Sequence, residues 1–205
     1  MQILTTHRAL FGGISTDRRT RTMSEADIVR VVEVFHANRA RWALVGAHAI
    51  GLLTQPRATA DFDFILDGAK LPAVLADLAI AFGELGATDV GAAIQLRSID
   101  VDLIRSTNHP LFAEALKQMR TVGDWNVPRT EALIALKFLA AVSPWRNPDK
   151  RAQDIVDLRT TYRTVGRDAL DIPDMVRLAG LAYPGAEDEF RALIDKIDRG
   201  EPISI

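Results

Sequence analysis

Two aspartates separated by one residue lie inside an apolar stretch, ADFDFIL, at positions 60–66. Because alternate residues of a strand point to the same face, Asp61 and Asp63 are predicted to project side by side. Two such carboxylates repel each other and are costly to bury unpaired, and a divalent cation with oxygen ligands would remove both problems. The alternative is a solvent-facing edge strand with incidental acids, and the D-x-D pattern alone does not separate the two.

Two neighbouring features favour a metal site. Gly46 stands where the apolar run WALV gives way to a helical pattern, and a glycine there lets backbone approach a phosphate at a helix N-terminus. A second alternating segment, IDVDLI, carries Asp100 and Asp102. If this strand lies beside the first, a third carboxylate joins the pair. Three oxygen ligands near a phosphate-binding turn are typical of a two-metal site for attack on a phosphoryl group.

The residues that flank these motifs have both functional and structural interpretations. His48 falls in the first turn of the helix after Gly46, where it is either a catalytic group or a cap-region or surface histidine. Arg57 and Thr59 precede the strand of the two aspartates. Arg57 either contacts a triphosphate or pairs with an aspartate and holds the strand's entry.

The second half of the chain adds a lysine, a helical motif and a loop with an aromatic residue. LIALKFLAA sets Lys137 among apolar residues, where a lysine either snorkels to water or binds an anion. RAQDIVDL places Arg151 and Asp154 at i,i+3 spacing, for which a helix-surface ion pair is the default. In the loop SPWRNPDK, Trp145 and Arg146 either stack on a base or pack on their own helices.

The elements that must position these residues alternate in the first half of the chain. MSEADIVRVVEVFHANRA is a predicted helix, with Ser24 as its N-cap and Asp27 completing a capping box. RWALV, ADFDFIL, AAIQLRS and IDVDLIRS are predicted strands, and LPAVLADLAIAFGELG is a predicted helix with Gly86 just past its end. From about Thr130 the patterns are helical only. We therefore expect an α+β fold, a small mixed sheet backed by helices with a C-terminal helical region.

Composition limits the class of protein. The 205 residues are 48% hydrophobic and 25% charged, which suffices for one domain or two small ones. The expected division is a poorly ordered arm over 1–22, a core over 23–129 and a helical region over 130–205. The net charge of -2 excludes an overall attraction to nucleic acid or anionic membranes. The absence of cysteine excludes disulfides and thiolate metal sites and fits a cytoplasmic protein, and no apolar run is long enough to span a membrane.

Residues 42–66 resemble the signature of the nucleotidyltransferase superfamily, the polymerase-beta-like enzymes. In that signature a Gly-Gly or Gly-Ser turn opens a short helix, an Arg-x-Thr-x-Asp-x-Asp strand follows, and a third aspartate comes later. VGAHA, RATADFDF and the downstream LIALKFLAA and RAQDIVDL are similar to bacterial stand-alone nucleotidyltransferases, which include toxin-like members of abortive-infection and toxin–antitoxin systems. The resemblance covers roughly residues 40–160 and joins a turn, a spacing and two strands.

The resemblance implies a metal-dependent enzyme that moves a nucleoside monophosphate from an NTP, such as ATP, to an acceptor. Asp61, Asp63 and Asp102 become the catalytic residues and the ligands of Mg²⁺ or Mn²⁺, with Asp100 as the alternative third acid. Arg151, Asp154 and Asp157 are expected to brace Lys137 and the junction between the helices and the sheet. The expected nucleotide-binding residues are Gly46, Ala47, His48, Arg57, Thr59 and Lys137.

One departure from the signature leaves a second function open. Ala47 stands where the family has its second glycine or serine, so no hydroxyl is offered to a phosphate, although the backbone N–H remains. The alternative is therefore a catalytically weak or inactive protein that keeps the fold to bind a nucleotide or a partner. The acceptor is a tRNA, a protein or a small molecule, an antitoxin is a candidate partner, and no membrane partner is expected.

Overall fold

A computed structural model describes residues 23–203 of the chain, so the expected N-terminal arm over 1–22 lies outside the described residues. Within residues 23–203 the helices are α1 Glu25–Ala37, α2 Gly46–Gly51, α3 Leu71–Phe82, α4 Pro110–Lys117, α5 Thr130–Val142, α6 Pro148–Val165, α7 Ile172–Ala179 and α8 Ala186–Arg199. The strands are β1 Trp42–Val45, β2 Phe62–Leu66, β3 Ala87–Asp89, β4 Ala93–Leu96, β5 Val101–Arg105, β6 Met119–Val122 and β7 Trp125–Pro128.

Five of the strands form one mixed sheet in the order β1-β2-β5-β4-β3. The central pair, β2 and β5, is parallel, and the other neighbours are antiparallel. A parallel pair requires a long crossover, and the chain between β2 and β5 supplies it with α3, β3 and β4. Strands β6 and β7 form a separate hairpin. The predicted α+β class, with a mixed sheet and a C-terminal helical region, is confirmed.

The ends of the first long helices show how local sequence sets the elements. The Ser24 hydroxyl accepts a hydrogen bond from the Asp27 N–H at 3.1 Å, and the Asp27 carboxylate accepts one from the Ser24 N–H at 3.1 Å, so the predicted capping box is present. The predicted end of α3 was wrong. That helix ends at Phe82 because Gly83 takes a φ of +81°, which leaves the helical conformation before Gly86 is reached.

A single hydrophobic core connects the sheet with the C-terminal helices. On the sheet side, Phe35 packs against Trp42 and Phe64, with ring centroids 5.9 and 5.2 Å away. On the helical side, Phe138 of α5 packs edge-on against Phe190 of α8 at 5.1 Å. Helix α5 is thus buried between the sheet and the outer helices, which brings the residues of α6 that pack on it close to the sheet. None of the helices within residues 23–203 is both long enough and apolar enough to cross a membrane.

Candidate active site

The parallel strand pair brings two aspartates together. Asp63 of β2 and Asp102 of β5 are direct register partners, and partners on neighbouring strands project to the same face of a sheet. Asp61 is exposed and lies one residue before β2, so it is not part of the strand on which it was predicted to project beside Asp63. Asp100 lies before β5 in a left-handed conformation with a φ of +46°. We call Asp61, Asp63 and Asp102 the acidic site.

Gly46 lies directly against the acidic site. It is the first residue of α2, follows Val45, the register partner of Asp63, and has a φ of +66°. A Cβ atom built on Gly46 would lie 2.0 Å from Asp63 Oδ2 and 2.8 Å from its Cγ. Both the positive φ and the lack of room beside Asp63 therefore require glycine at position 46. This is the position at which the turn was predicted to approach a phosphate.

Replacing Gly46 with alanine is expected to destabilise the protein more than the same change at Gly91. Gly91 also has a positive φ, +88°, but a Cβ there meets nothing within 4 Å, so Gly91→Ala measures the conformational cost alone, about 1 to 2 kcal/mol. At Gly46 the clash with Asp63 adds about 1 to 3 kcal/mol. Urea unfolding of the two variants measures the difference. If the two variants lose the same free energy of unfolding, the Asp63 side chain moves away from the new Cβ atom at no cost.

The carboxylates of the acidic site are held close enough to perturb one another. Burial, the charge of Asp102 and, less strongly, that of Asp61 raise the pKa of Asp63 to about 6, against the lowering effect of Lys137 and Arg146. Burial also raises the pKa of Asp102, although the Gln95 side-chain amide donates to Asp102 Oδ2 at 3.2 Å and opposes the change. A nearby cation would stabilise the ionised form of these crowded carboxylates.

The donor chemistry of the acidic site fits a hard divalent cation. Its side chains offer carboxylate oxygens, the ligands that Mg²⁺ prefers. Within residues 23–203, however, no three Asp, Glu or His side chains are drawn together in an arrangement that would hold a metal ion. The acidic site therefore suits a divalent cation by the chemistry of its oxygen donors and by the repulsion between its carboxylates. Its side chains are not already arranged as a set of metal ligands.

A second charged cluster lies beside the acidic site and is built on Lys137. The Lys137 side chain is 8% exposed, and its Nζ lies 2.8 Å from Asp154 Oδ1 and 2.7 Å from Asp157 Oδ2. Arg57 donates from Nε and Nη2 to the two Asp157 oxygens, both at 3.0 Å, and Arg146 Nε donates to Asp154 Oδ2 at 2.5 Å. We call these five residues the lysine cluster. It ties α5 to α6 and to the segment that leads into β2.

The lysine cluster decides several alternatives that the sequence left open. Lys137 is buried and does not snorkel to water. Two of the three residues that the resemblance implied, Asp154 and Asp157, brace it, and Arg151 does not. Burial raises the pKa of Asp157, but the hydrogen bonds from Arg57 and Lys137 outweigh burial and hold it below its usual value. The expected surface pair of Arg151 with Asp154 was wrong. Arg151 Nε instead donates to the Ala141 carbonyl at 2.6 Å, because Asp154 faces α5.

The remaining predicted nucleotide-binding residues lie in α2 and the loop after it. Ala47 and His48 are both buried, and the His48 ring is stacked on Phe62 with centroids 3.8 Å apart and planes 8° from parallel. His48 Nε2 has no hydrogen-bond partner among the described residues. Thr59 is half-buried in the loop between α2 and β2. Their roles toward a nucleotide stay predictions.

His48 makes the stability of the fold sensitive to acid. Burial and then the charge of Arg57 lower its pKa from 6.5 to about 4. Between these pH values the unfolded chain binds a proton that the folded protein does not, so stability is lost as the pH falls from 6.5 towards 4, by up to about 3 kcal/mol. His48→Phe keeps the stacked ring and removes the titration. Melting curves of both proteins from pH 7 to 4 should diverge, and parallel profiles would contradict the assignment.

Comparison with known proteins finds a likeness among solved structures. No protein-family model and no curated protein sequence matches the chain. The crystal structure of ANT(2'')-Ia in complex with adenylyl-2''-tobramycin aligns with a TM-score of 0.51 and 15% sequence identity, over 80% of this chain and 95% of that chain. This chain has a nucleotidyltransferase fold.

Two further solved structures align over similar lengths of the chain. The solution structure of the antibiotic-resistance factor ANT(2'')-Ia has a TM-score of 0.49 and 14% identity, over 84% of this chain and 94% of that one. The crystal structure of an antigenic nucleotidyltransferase-like protein from Paracoccidioides brasiliensis has a TM-score of 0.48 and 15% sequence identity, over 86% of this chain and 94% of that one. The toxin-like subtype suggested by the sequence stays a prediction.

In this nucleotidyltransferase fold, two residues near the acidic site were missed by sequence reasoning. Gln95 of β4 is the register partner of Asp102 and donates to it. Lys150, in the first turn of α6, lowers the pKa of Asp102 by its charge. The alternation of AAIQLRS could have placed Gln95 on one face of its strand, but no local pattern links Lys150 to a strand nearly fifty residues earlier.

Proposed function

We propose that this protein is a nucleotidyltransferase that moves a nucleoside monophosphate from an NTP to an acceptor hydroxyl. One observation carries the proposal. Asp63 and Asp102 face one another across the parallel β2–β5 pair, and the Gly46 turn packs directly against the Asp63 carboxylate. Acid residues and a phosphate-compatible turn are thus in contact, which is the arrangement that phosphoryl transfer needs.

The chain's own residues supply binding and proton transfer in this proposal. The backbone N–H groups at the start of α2, from Gly46 and Ala47, bind the triphosphate. Asp102 accepts the proton of the acceptor hydroxyl as the general base. The acceptor oxygen forms a bond to the α-phosphorus, the bond from that phosphorus to the bridging oxygen breaks, and pyrophosphate leaves. The positive charges of Arg146 and Lys150 offset the negative charge of the acidic site.

The same proposal assigns a divalent cation to the acidic site. Asp61, Asp63 and Asp102 would hold Mg²⁺ or Mn²⁺, because their carboxylate oxygens suit these ions and their mutual repulsion is relieved by a positive charge. When bound, such an ion neutralises the triphosphate and stabilises the charge that develops on the oxygens of the transferred group. The lysine cluster positions the acidic site from α5 and α6, and Lys137 is proposed to add its charge to the nucleotide-binding surface.

The proposal is tested by incubating the purified protein with each α-labelled NTP and Mg²⁺. Candidate acceptors are supplied as tRNA, as a protein lysate and as small polyhydroxylated molecules, including aminoglycosides. Covalent transfer of label with release of pyrophosphate is expected. If NTPs bind but no label moves to any acceptor class, the alternative of a nucleotide-binding scaffold replaces the enzyme. A toxin role with an antitoxin partner stays a prediction, tested by growth arrest on expression of the wild-type protein.

A further inference from the structure

Trp145 lies in a hydrogen-bonded turn that leaves its side chain in solvent. Its side chain is 94% exposed, whereas the other two tryptophans, Trp42 and Trp125, are each 2% exposed. Trp145 is the third residue of a turn between α5 and α6 in which the Arg146 N–H donates to the Ser143 carbonyl at 3.2 Å. Pro144 at the second position fixes the backbone of such a turn. The sequence left open whether this ring packs on its own helices, and the exposure excludes that.

Both sides of the turn are anchored. On one side the turn follows directly from α5, which is largely buried. On the other, Asn147 caps α6 by accepting a hydrogen bond from the Asp149 N–H at 2.9 Å, and Pro148 begins the helix. No hydrogen bond or ring contact of the Trp145 indole is present within residues 23–203. The side chain therefore projects from an anchored turn, and no ring of residues 23–203 is stacked on it.

The turn is also tied to the acidic site through charged contacts. Arg146, the next residue, bonds to Asp154, which bonds in turn to Lys137. The charges of Arg146 and Lys137 both act on Asp63, and that of Arg146 also acts on Asp102. Trp145 is therefore the chain neighbour of an arginine whose charge acts on both register partners of the proposed phosphate-transfer site.

We infer that Trp145 is the stacking surface for the base of the nucleotide substrate. The inference rests on the proposed function and adds the site that binds the base. A nucleoside triphosphate joins a planar aromatic ring to a polyanion. Trp145 offers a stacking partner for the ring, next to a turn residue, Arg146, whose charge acts on the acidic site. Stacking on an exposed indole uses the face that every base has, so the site takes purine and pyrimidine nucleotides alike. It contributes affinity without selecting the base.

Intrinsic fluorescence gives a direct test because Trp145 is the one exposed tryptophan of the three. Wild-type protein is titrated with a non-hydrolysable ATP analogue and, separately, with inorganic tripolyphosphate, which has no ring. The analogue is expected to quench the emission and to protect it from acrylamide, while tripolyphosphate leaves the accessibility of the indole unchanged. Analogues with guanine and cytosine bases are expected to protect as well.

Calorimetric titration of two variants measures the contribution of the ring. Trp145→Ala is expected to weaken binding of the ATP analogue on the order of tenfold, and Trp145→Phe by less, since a smaller ring still stacks. Binding of tripolyphosphate should be the same in all three proteins. Because the side chain is exposed, both variants should have the same Tm as the wild-type protein.

The outcomes separate this inference from the proposed function. If wild type binds neither the ATP analogue nor tripolyphosphate, the proposed nucleotidyltransferase function fails and the base site fails with it. If wild type and Trp145→Ala bind the analogue equally and the indole stays accessible, the base site alone is overturned. Weaker transfer of label to a macromolecular acceptor with unchanged affinity for the analogue would assign Trp145 to the acceptor instead and would also overturn the inference.

Discussion

Lys137→Met is expected to lower the free energy of unfolding by about 3 to 5 kcal/mol. Methionine nearly matches the length of lysine but removes the ammonium that lies within 2.8 Å of both Asp154 and Asp157. Two buried carboxylates would then face each other without their shared cation. Arg57 and Gln153 would still bond to Asp157, and Arg146 to Asp154. Urea-induced unfolding monitored by circular dichroism measures the loss.

A matched control is available at Lys117, whose ammonium also bonds to a carboxylate, Glu114, at 2.8 Å but whose side chain is 63% exposed. Lys117→Met should cost less than about 0.5 kcal/mol, because exposed i,i+3 pairs contribute little. Similar losses at the two positions would show that the buried cluster is not important for stability. Undiminished affinity for an NTP, measured where Lys137→Met is still folded, would remove Lys137 from the proposed nucleotide-binding residues.

The strands that carry the acidic residues could be predicted because their signal is local. The alternation in ADFDFIL and IDVDLIRS reappears as β2 and β5. The alternation alone could not choose between Asp100 and Asp102 as the residue opposite Asp63, because the register of two strands nearly forty residues apart depends on packing. The preference for Asp102 came from the family resemblance. The observed parallel register pairs Asp63 with Asp102 and leaves Asp100 outside the strand.

The partners of Lys137 illustrate a second limit. Spacing along a helix suggested that Asp154 pairs with Arg151, since i,i+3 neighbours lie on one face. Asp154 and Asp157 share that spacing too, and the packing of α6 on α5 turns both towards Lys137. A sequence pattern defines which residues share a face, but only tertiary packing defines what the face meets.

Some elements were missed for local reasons. Strand β3, Ala87–Asp89, has three exposed residues and therefore no apolar alternation to detect. The hairpin of β6 and β7 did carry a signal, because Gly123-Asp124 separates the two strands and Gly123 has a φ of +60°. A two-residue loop that contains glycine is a recognised hairpin turn, and it could have been predicted.

Asp63→Asn is expected to reduce nucleotidyl transfer by roughly a thousandfold or more, equivalent to several kcal/mol of transition-state stabilisation. Asparagine has the same shape, so the register with Asp102 and the contact with Gly46 remain, but the charge that would hold a cation is lost. Initial rates of label transfer measure the effect. Asp188→Asn, an exposed position in the first turn of α8, is the control and should transfer at the wild-type rate.

The same substitution tests the cation assignment without turnover. Burial and the charges of Asp102 and Asp61 raise the pKa of Asp63 from 3.8 to about 6. The contribution of Asp63 to the stability of the fold is therefore fully present below pH 3.8 and is lost as the pH rises through 6. At neutral pH the ionised, buried carboxylate destabilises the metal-free protein. Metal-free Asp63→Asn is therefore expected to melt above wild type at pH 7.5. Mg²⁺ should raise the Tm of wild type, because it binds only the folded form, and leave that of the variant unchanged. An equal increase in Tm on adding Mg²⁺ to both proteins would show that the cation does not bind at Asp63 of β2. The Gly46 turn would then lack the nearby metal on which the proposed transfer depends.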